Sequence, residues 1–301
     1  MAETRTNEPR AVGAGFAAYL LWAVFPLYFE ALHDAAALEI VAHRVTWTFV
    51  FCALGVTVLG AWGQVRTVWR NKPLVGRLAL AGALVTLNWL IYVWAVLNDQ
   101  VVDAALGYFI NPLVTVGLGL VVLRERLQRL QYLALGVGAV AVAVIIVGYG
   151  HVPWVGLGLA FTFGLYALMK NRVGLRATPV VGLGFEVLAL APLAVGYIVV
   201  LEVTGRGQFT GHGAGYTLGL ALTGVVTALP LLFFAFAAAR VPLATMGMLQ
   251  YVTPIGQFLL GVLVFHEAMP LARWLGFGLV WVALILLTLH GVRSIKSRGV
   301  G

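Results

Sequence analysis

The amino-acid sequence predicts an all-α membrane protein: ten transmembrane helices arranged as two inverted-topology five-helix repeats. Three observations predict it. The chain is 61% hydrophobic and 10% charged over 301 residues, which leaves too little polar surface to cover a soluble domain of that size. Uncharged runs of about 20 residues recur along it, and lipid leaves backbone groups no partners outside helices or closed barrels. Finally, Asn111-Pro112 followed by Glu125 and Thr253-Pro254 followed by Glu267 form one proline-to-glutamate step repeated at a displacement of 142 positions.

The spans follow in order. Ala11–Phe29 opens the chain; too little precedes it for a cleavable signal, so this run is expected to remain as a span. Val45–Val65, Leu78–Asn98 and Ala104–Leu123 come next, each long enough to cross. Leu130–Met169 carries no Lys, Arg, Asp or Glu and is twice the needed length. The turn chemistry of Tyr149-Gly150-His151-Val152-Pro153 divides it into two crossings. Ala177–Leu201 follows, interrupted by the single charge Glu186, and then Gly213–Ala239, Val241–Phe265 and Trp274–Val292. The net charge of +8 invites a nucleic-acid reading, but the placement of the cations argues against it. With the N-terminus inside, 16 of the 19 Lys and Arg fall on cytoplasmic segments, from Arg5 and Arg10 through Arg66, Arg70 and Lys72 to Arg293, Lys296 and Arg298. The positive-inside rule then places both termini in the cytoplasm of a cell whose inner membrane holds the chain. Anionic lipid headgroups are partner enough for the basicity.

The displacement of 142 also brings Leu78, Ala79, Leu80 and Gly82 onto Leu220, Ala221, Leu222 and Gly224, and Gly119 onto Gly261. The repeats are expected over residues 11–148 and 153–290, with cytoplasmic tails at 1–10 and 291–301. An odd number of crossings per repeat makes the second enter the bilayer from the opposite side. That is the build of a secondary transporter, with a site between halves that opens to alternate faces.

Candidate site residues cluster beside the prolines. Pro112 and Pro254 each remove a helical bond, freeing the carbonyls of Tyr108 and Gln250, and Pro26 is a third helix break. Tyr108, Asn111 and Thr115 share a face at i, i+3 and i+7, as do Gln250, Thr253 and Gln257. The two stripes are equivalent under the displacement and are expected to line a central cavity, although the same residues could serve as interhelical bonds. Trp22, Asn88 and Tyr92 lie nearer mid-span and extend the wall, which suits a flat or partly aromatic solute. Arg44 and Glu186 are repeat-equivalent charges at depth, and such charges must face water, a partner or a substrate. Three readings stand: the two pair with each other, they serve the solute or a coupling proton or ion, or Arg44 snorkels outward with His43 following. Glu125 and Glu267, at helix ends, read as interfacial anchors or partners of nearby arginines. Cys52 is the lone cysteine, so no intrachain disulfide exists.

These residues resemble the EamA-type branch of the drug/metabolite transporter superfamily, and within it the RarD-type permeases often labelled chloramphenicol-sensitive proteins. The resemblance is carried by FPLYFE at 25–30, LEIVAHRVTW at 38–47, NWLIYVWAV at 88–96, LGYFINPL at 106–113 and LRERL at 123–127. TALPLLFFAFAAARVPL at 227–243 and LQYVTPIGQFLLGVLVFHE at 249–267 complete it. FHEAM at 265–269 departs from the glycine-glutamate-proline ending usual there. The resemblance implies a cytoplasmic-membrane permease, an exporter by analogy with relatives that move amino acids, other metabolites or drug-like solutes, and it brings no agreed catalytic residue.

An enzyme is disfavoured. The only serines, Ser294 and Ser297, lie in the terminal tail, so no buried serine nucleophile exists. No HExxH pair offers a metal site and no GxxxxGK[ST] loop an ATP site. No cofactor or metal is expected. A channel or a non-transporting membrane scaffold is the alternative function.

Overall fold

The structure, a computed structural model, describes residues 9–122, 124, 128–173, 176–241, 246 and 249–298. Every regular element among them is helical. The first span is α1 (Pro9–Ala23) and α2 (Phe25–Glu30), parted at Val24 because Pro26 has no N–H to continue the ladder. α3 (Ala37–Val58) begins a full two turns before the expected start, taking Glu39, His43 and Arg44 into the helix. α4 (Trp62–Arg70) is a short separate helix that starts before the expected run ends at Val65 and continues past it. α5 (Lys72–Val96) starts on Asn71, whose side chain accepts the Leu74 N–H. α6 (Val101–Val122) passes through Pro112 without ending there. A single proline removes one bond, and the turns on either side carry the helix across it.

α7 (Arg129–Tyr149) stops at Gly150, whose left-handed φ of 71° closes the last turn, and α8 (Trp154–Val173) starts after Pro153. The expected span 177–201 is two helices, α9 (Pro179–Leu188) and α10 (Ala191–Val203), bent by 55°. Pro192 at the head of α10 accounts for the break, since it offers no N–H to the preceding turn. α11 (Ala214–Arg240) contains Pro230. α12 (Val252–Leu263) is shorter than the run 241–265 suggested, with positions 242–245, 247 and 248 outside the described residues. Pro254 therefore stands in the first turn of α12, where N–H groups have no helical partner in any case. α13 (Leu271–Arg298) closes the chain.

By length and apolarity seven described segments are able to cross a membrane, or eight with the bent pair α9–α10 counted as one. Two shorter apolar helices, Trp154–Lys170 and Val252–Leu263, stand beside them. α5 and α6 pack on α8, while α11 and α12 pack on α1. α9 crosses α5, α11 crosses α3, and α7 lies along α13. Two glycines make the crossings close. A Cβ at Gly82 would stand 1.9 Å from the Glu186 carbonyl oxygen, and one at Gly224 would stand 2.4 Å from the Trp47 carbonyl carbon. Small residues let helix backbones touch where lipid supplies no hydrophobic drive.

Candidate transport site

Arg44 turns inward and does not snorkel. It is 4% exposed, and its Nε donates to Thr227 Oγ1 on α11 at 2.7 Å. The guanidinium lies over the Trp89 ring at 4.2 Å, with Phe29 and Phe25 at 5.4 and 5.6 Å. His43 stays beside it in sequence but faces the loop 204–213, stacked on Phe209 at 4.7 Å with Nδ1 accepting from Trp47 Nε1.

Glu186 does not meet Arg44. It is wholly buried on α9, accepting from Lys170 Nζ at 2.5 Å and from Tyr166 Oη at 3.1 Å, both on α8. The two repeat-equivalent charges thus have separate surroundings, one with a counter-charge and one with rings and a hydroxyl. Sequence reading missed Lys170 because its partner is set by which helices touch. Thr227 was missed for the same reason.

The polar stripes are brought toward neighbouring helices. Asn111 Nδ2 donates to the Ala160 carbonyl on α8, and Thr253 Oγ1 donates to the Tyr19 carbonyl on α1. Gln257 Nε2 donates to the Trp22 carbonyl and to the Tyr92 hydroxyl, while its buried Oε1 has no donor among the described residues. Asn88 Nδ2 donates to the Leu159 carbonyl and to Thr162 Oγ1, and Tyr108 reaches Asn88 Oδ1 at 3.5 Å. Thr115 donates to Asn111 Oδ1 at 3.4 Å, and Gln250 is exposed at the turn before α12. Tyr92 stands between Phe29 and Tyr108, with ring centroids 6.1 and 5.8 Å away. Arg44, Phe29, Tyr92, Gln257 and Trp22 are thereby one continuous contact chain.

A second polar cluster lies where α6 begins. Glu267 accepts from the Val101 and Val102 N–H groups, and Arg273 reaches both Glu267 at 3.7 Å and Asp103 at 2.9 Å. A carboxylate at a helix start meets free N–H groups and the positive end of the dipole. Burial nevertheless pushes the Glu267 carboxyl up to about 7, against the lowering pull of the Val102 amide and Arg273. An open cavity of about 490 Å³ lies beside this cluster, lined by Asp99, Phe265, His266, Glu267 and Arg273 among others. Asp103 has no mark as a site residue in the sequence, since the uncharged run begins one residue later, at Ala104. Glu125, the expected counterpart of Glu267, lies outside the described residues.

Comparison with known proteins identifies the class of molecule that carries these sites. Residues 10–147 match the EamA-like transporter family. Protein RarD of Streptomyces exfoliatus is 46% identical over 282 residues, covering 94% of this chain and 89% of that protein. The chain belongs to the EamA-like transporter family, among its RarD-like permeases. Protein RarD of Escherichia coli (strain K12) is 34% identical, over 92% of this chain and 93% of that protein. The uncharacterized transporter YojE of Bacillus subtilis (strain 168) is 40% identical, over 91% and 92%. A protein of known crystal structure with 18% identity superposes with a TM-score of 0.61 over 95% of this chain and 99% of its own, a likeness of fold. As an EamA-like transporter the chain is a multi-pass membrane protein that handles a small-molecule substrate.

Proposed function

We propose that the permease is a secondary carrier of ten spans, built from repeats at 11–148 and 153–290 of opposite orientation, that moves a small solute by alternating access. The excess of Lys and Arg on one set of loops supports placing both termini inside, and in this reading the solute moves outward across the cytoplasmic membrane. The single observation that carries this is a paired hydrogen bond. Asn111 beside Pro112 donates to α8 as Thr253 beside Pro254 donates to α1, and the acceptors Ala160 and Tyr19 differ by one residue from the 142 displacement. Gly82 against Glu186 and Gly224 against Trp47 repeat the relation within a few residues. Equivalent helices meeting through equivalent residues are what two inverted halves require, and rocking one half against the other exposes the interface to alternate faces.

The solute site in this reading lies along the chain from Trp22 through Gln257 and Tyr92 to Arg44, with Asn88, Tyr108, Asn111, Thr115, Gln250 and Thr253 bordering it. Glu186 with Lys170 is the group we assign to proton coupling. Counterflow in liposomes tests the function: purified protein should exchange labelled solute against an unlabelled gradient with saturation. A flux linear in concentration with no counterflow contradicts a carrier. Transport by Glu186→Gln that keeps the full pH dependence of the parent contradicts the coupling role.

A further inference from the structure

We propose that Arg44 is the recognition residue for a carboxylate on the transported solute, so that the substrate class is a monoanionic organic acid with a flat apolar body. This deepens the carrier reading and rests on it. Arg44 is nine-tenths or more buried, and among the described residues its side chain makes one hydrogen bond, from Nε to Thr227. Among the described residues no Asp or Glu lies within ion-pair distance of it. Glu186, the other charge at this depth, is already answered by Lys170. Of these two repeat-equivalent charges, the positive one therefore lacks a counter-charge.

The ring faces of Trp89, Phe29 and Phe25 attract the guanidinium. They return less than burying an unpaired ion costs. A second donor stands nearby. The Tyr92 hydroxyl accepts from Gln257, and its own proton has no acceptor among the described residues. Tyr92 packs on Phe29, whose ring also lies under Arg44. A guanidinium fork and a phenol O–H flanking one aromatic wall lack a planar, singly charged acceptor. A carboxylate fits, because its two oxygens match the paired N–H groups of arginine. A doubly charged phosphate would leave one charge uncompensated. The rings then accept the apolar body of the acid.

The test uses the full chain in detergent, following thermal unfolding with phenylacetate, benzoate and indole-3-acetate against phenylacetamide, benzamide and indole-3-acetamide. At least one acid should stabilise the protein at a concentration about 30-fold lower than its amide, the scale expected for a charge-assisted pair. Arg44→Gln should erase that preference and Arg44→Lys should keep part of it. Tyr92→Phe, which leaves the charge in place, should weaken the acid about tenfold and the amide not at all. Equal stabilisation by the amides, acid binding that survives Arg44→Gln, or no effect of any acid overturns the proposal. Liposome counterflow separates the two readings. Saturable exchange of neutral solutes alone removes the anion site but leaves the carrier. Acid binding without any exchange supports the site at Arg44 and removes the carrier.

Discussion

Gly82→Ala should loosen the bundle where α5 meets α9. The added Cβ would lie 1.9 Å from the Glu186 carbonyl oxygen and 2.6 Å from its carbonyl carbon, where ordinary contact begins at 3.4 Å. The obstacle is backbone and has no rotamer to escape into. The helices must part by about 1.5 Å or deform, and overpacking of this kind costs about 1–3 kcal/mol. For a chain of this length an unfolding entropy of about 2.1 cal/mol/K per residue converts that to a Tm lower by about 2–5 °C. Gly76→Ala is the control. It lies on the same helix with nothing within 4 Å of its Cβ, and it should be neutral or gain about 0.5–1 kcal/mol of helix propensity. The assay is tryptophan fluorescence on heating in detergent. Equal Tm values for Gly82→Ala and the parent would refute the backbone-to-backbone crossing, and with it the placing of Glu186 beside α5.

Three further outcomes follow from the same geometry. Lys170→Met strands a fully buried carboxylate and should destabilise by about 3–5 kcal/mol, whereas adding Glu186→Gln should restore most of the loss; a double variant no better than the single breaks the pair assignment. Thr253→Val removes the hydroxyl that holds the Tyr19 carbonyl and should cost about 0.5–1.5 kcal/mol by thermal unfolding, with a Tm equal to the parent as the contrary result. Glu267 has its folded-state pKa raised from 4.5 to about 7, mainly by burial. Its contribution is fully present below pH 4.5 and is lost as pH rises through 7. Stability measured across that window should therefore fall in the parent and fall less in Glu267→Gln; parallel slopes contradict the assignment.

Much of the helical order was legible because hydropathy and punctuation are local. Gly150 ended α7 where the sequence placed a turn, and Pro26 parted α1 from α2. Charge was the weaker guide. Trimming runs to exclude Arg44 and Asp103 shortened α3 and α6, since a buried residue with partners stays in its helix whatever its hydropathy. Pro192 carries a bend signal that uncharged length alone does not reveal. The stripes Tyr108–Asn111–Thr115 and Gln250–Thr253–Gln257 were legible from spacing, but their acceptors on α8 and α1 were not. Those acceptors are backbone carbonyls, which leave no mark in the sequence. The Lys170–Glu186 and Arg44–Thr227 contacts likewise depend on which helices cross.

Opposed orientation of the two halves is the claim on which the transport reading turns. In a Cys52→Ala background, single cysteines at His212 and at Arg70, its equivalent under the displacement of 142 positions, should react with a membrane-impermeant maleimide from opposite sides, position 212 in intact cells and position 70 only after the membrane is opened. Labelling of both from one side would contradict the account.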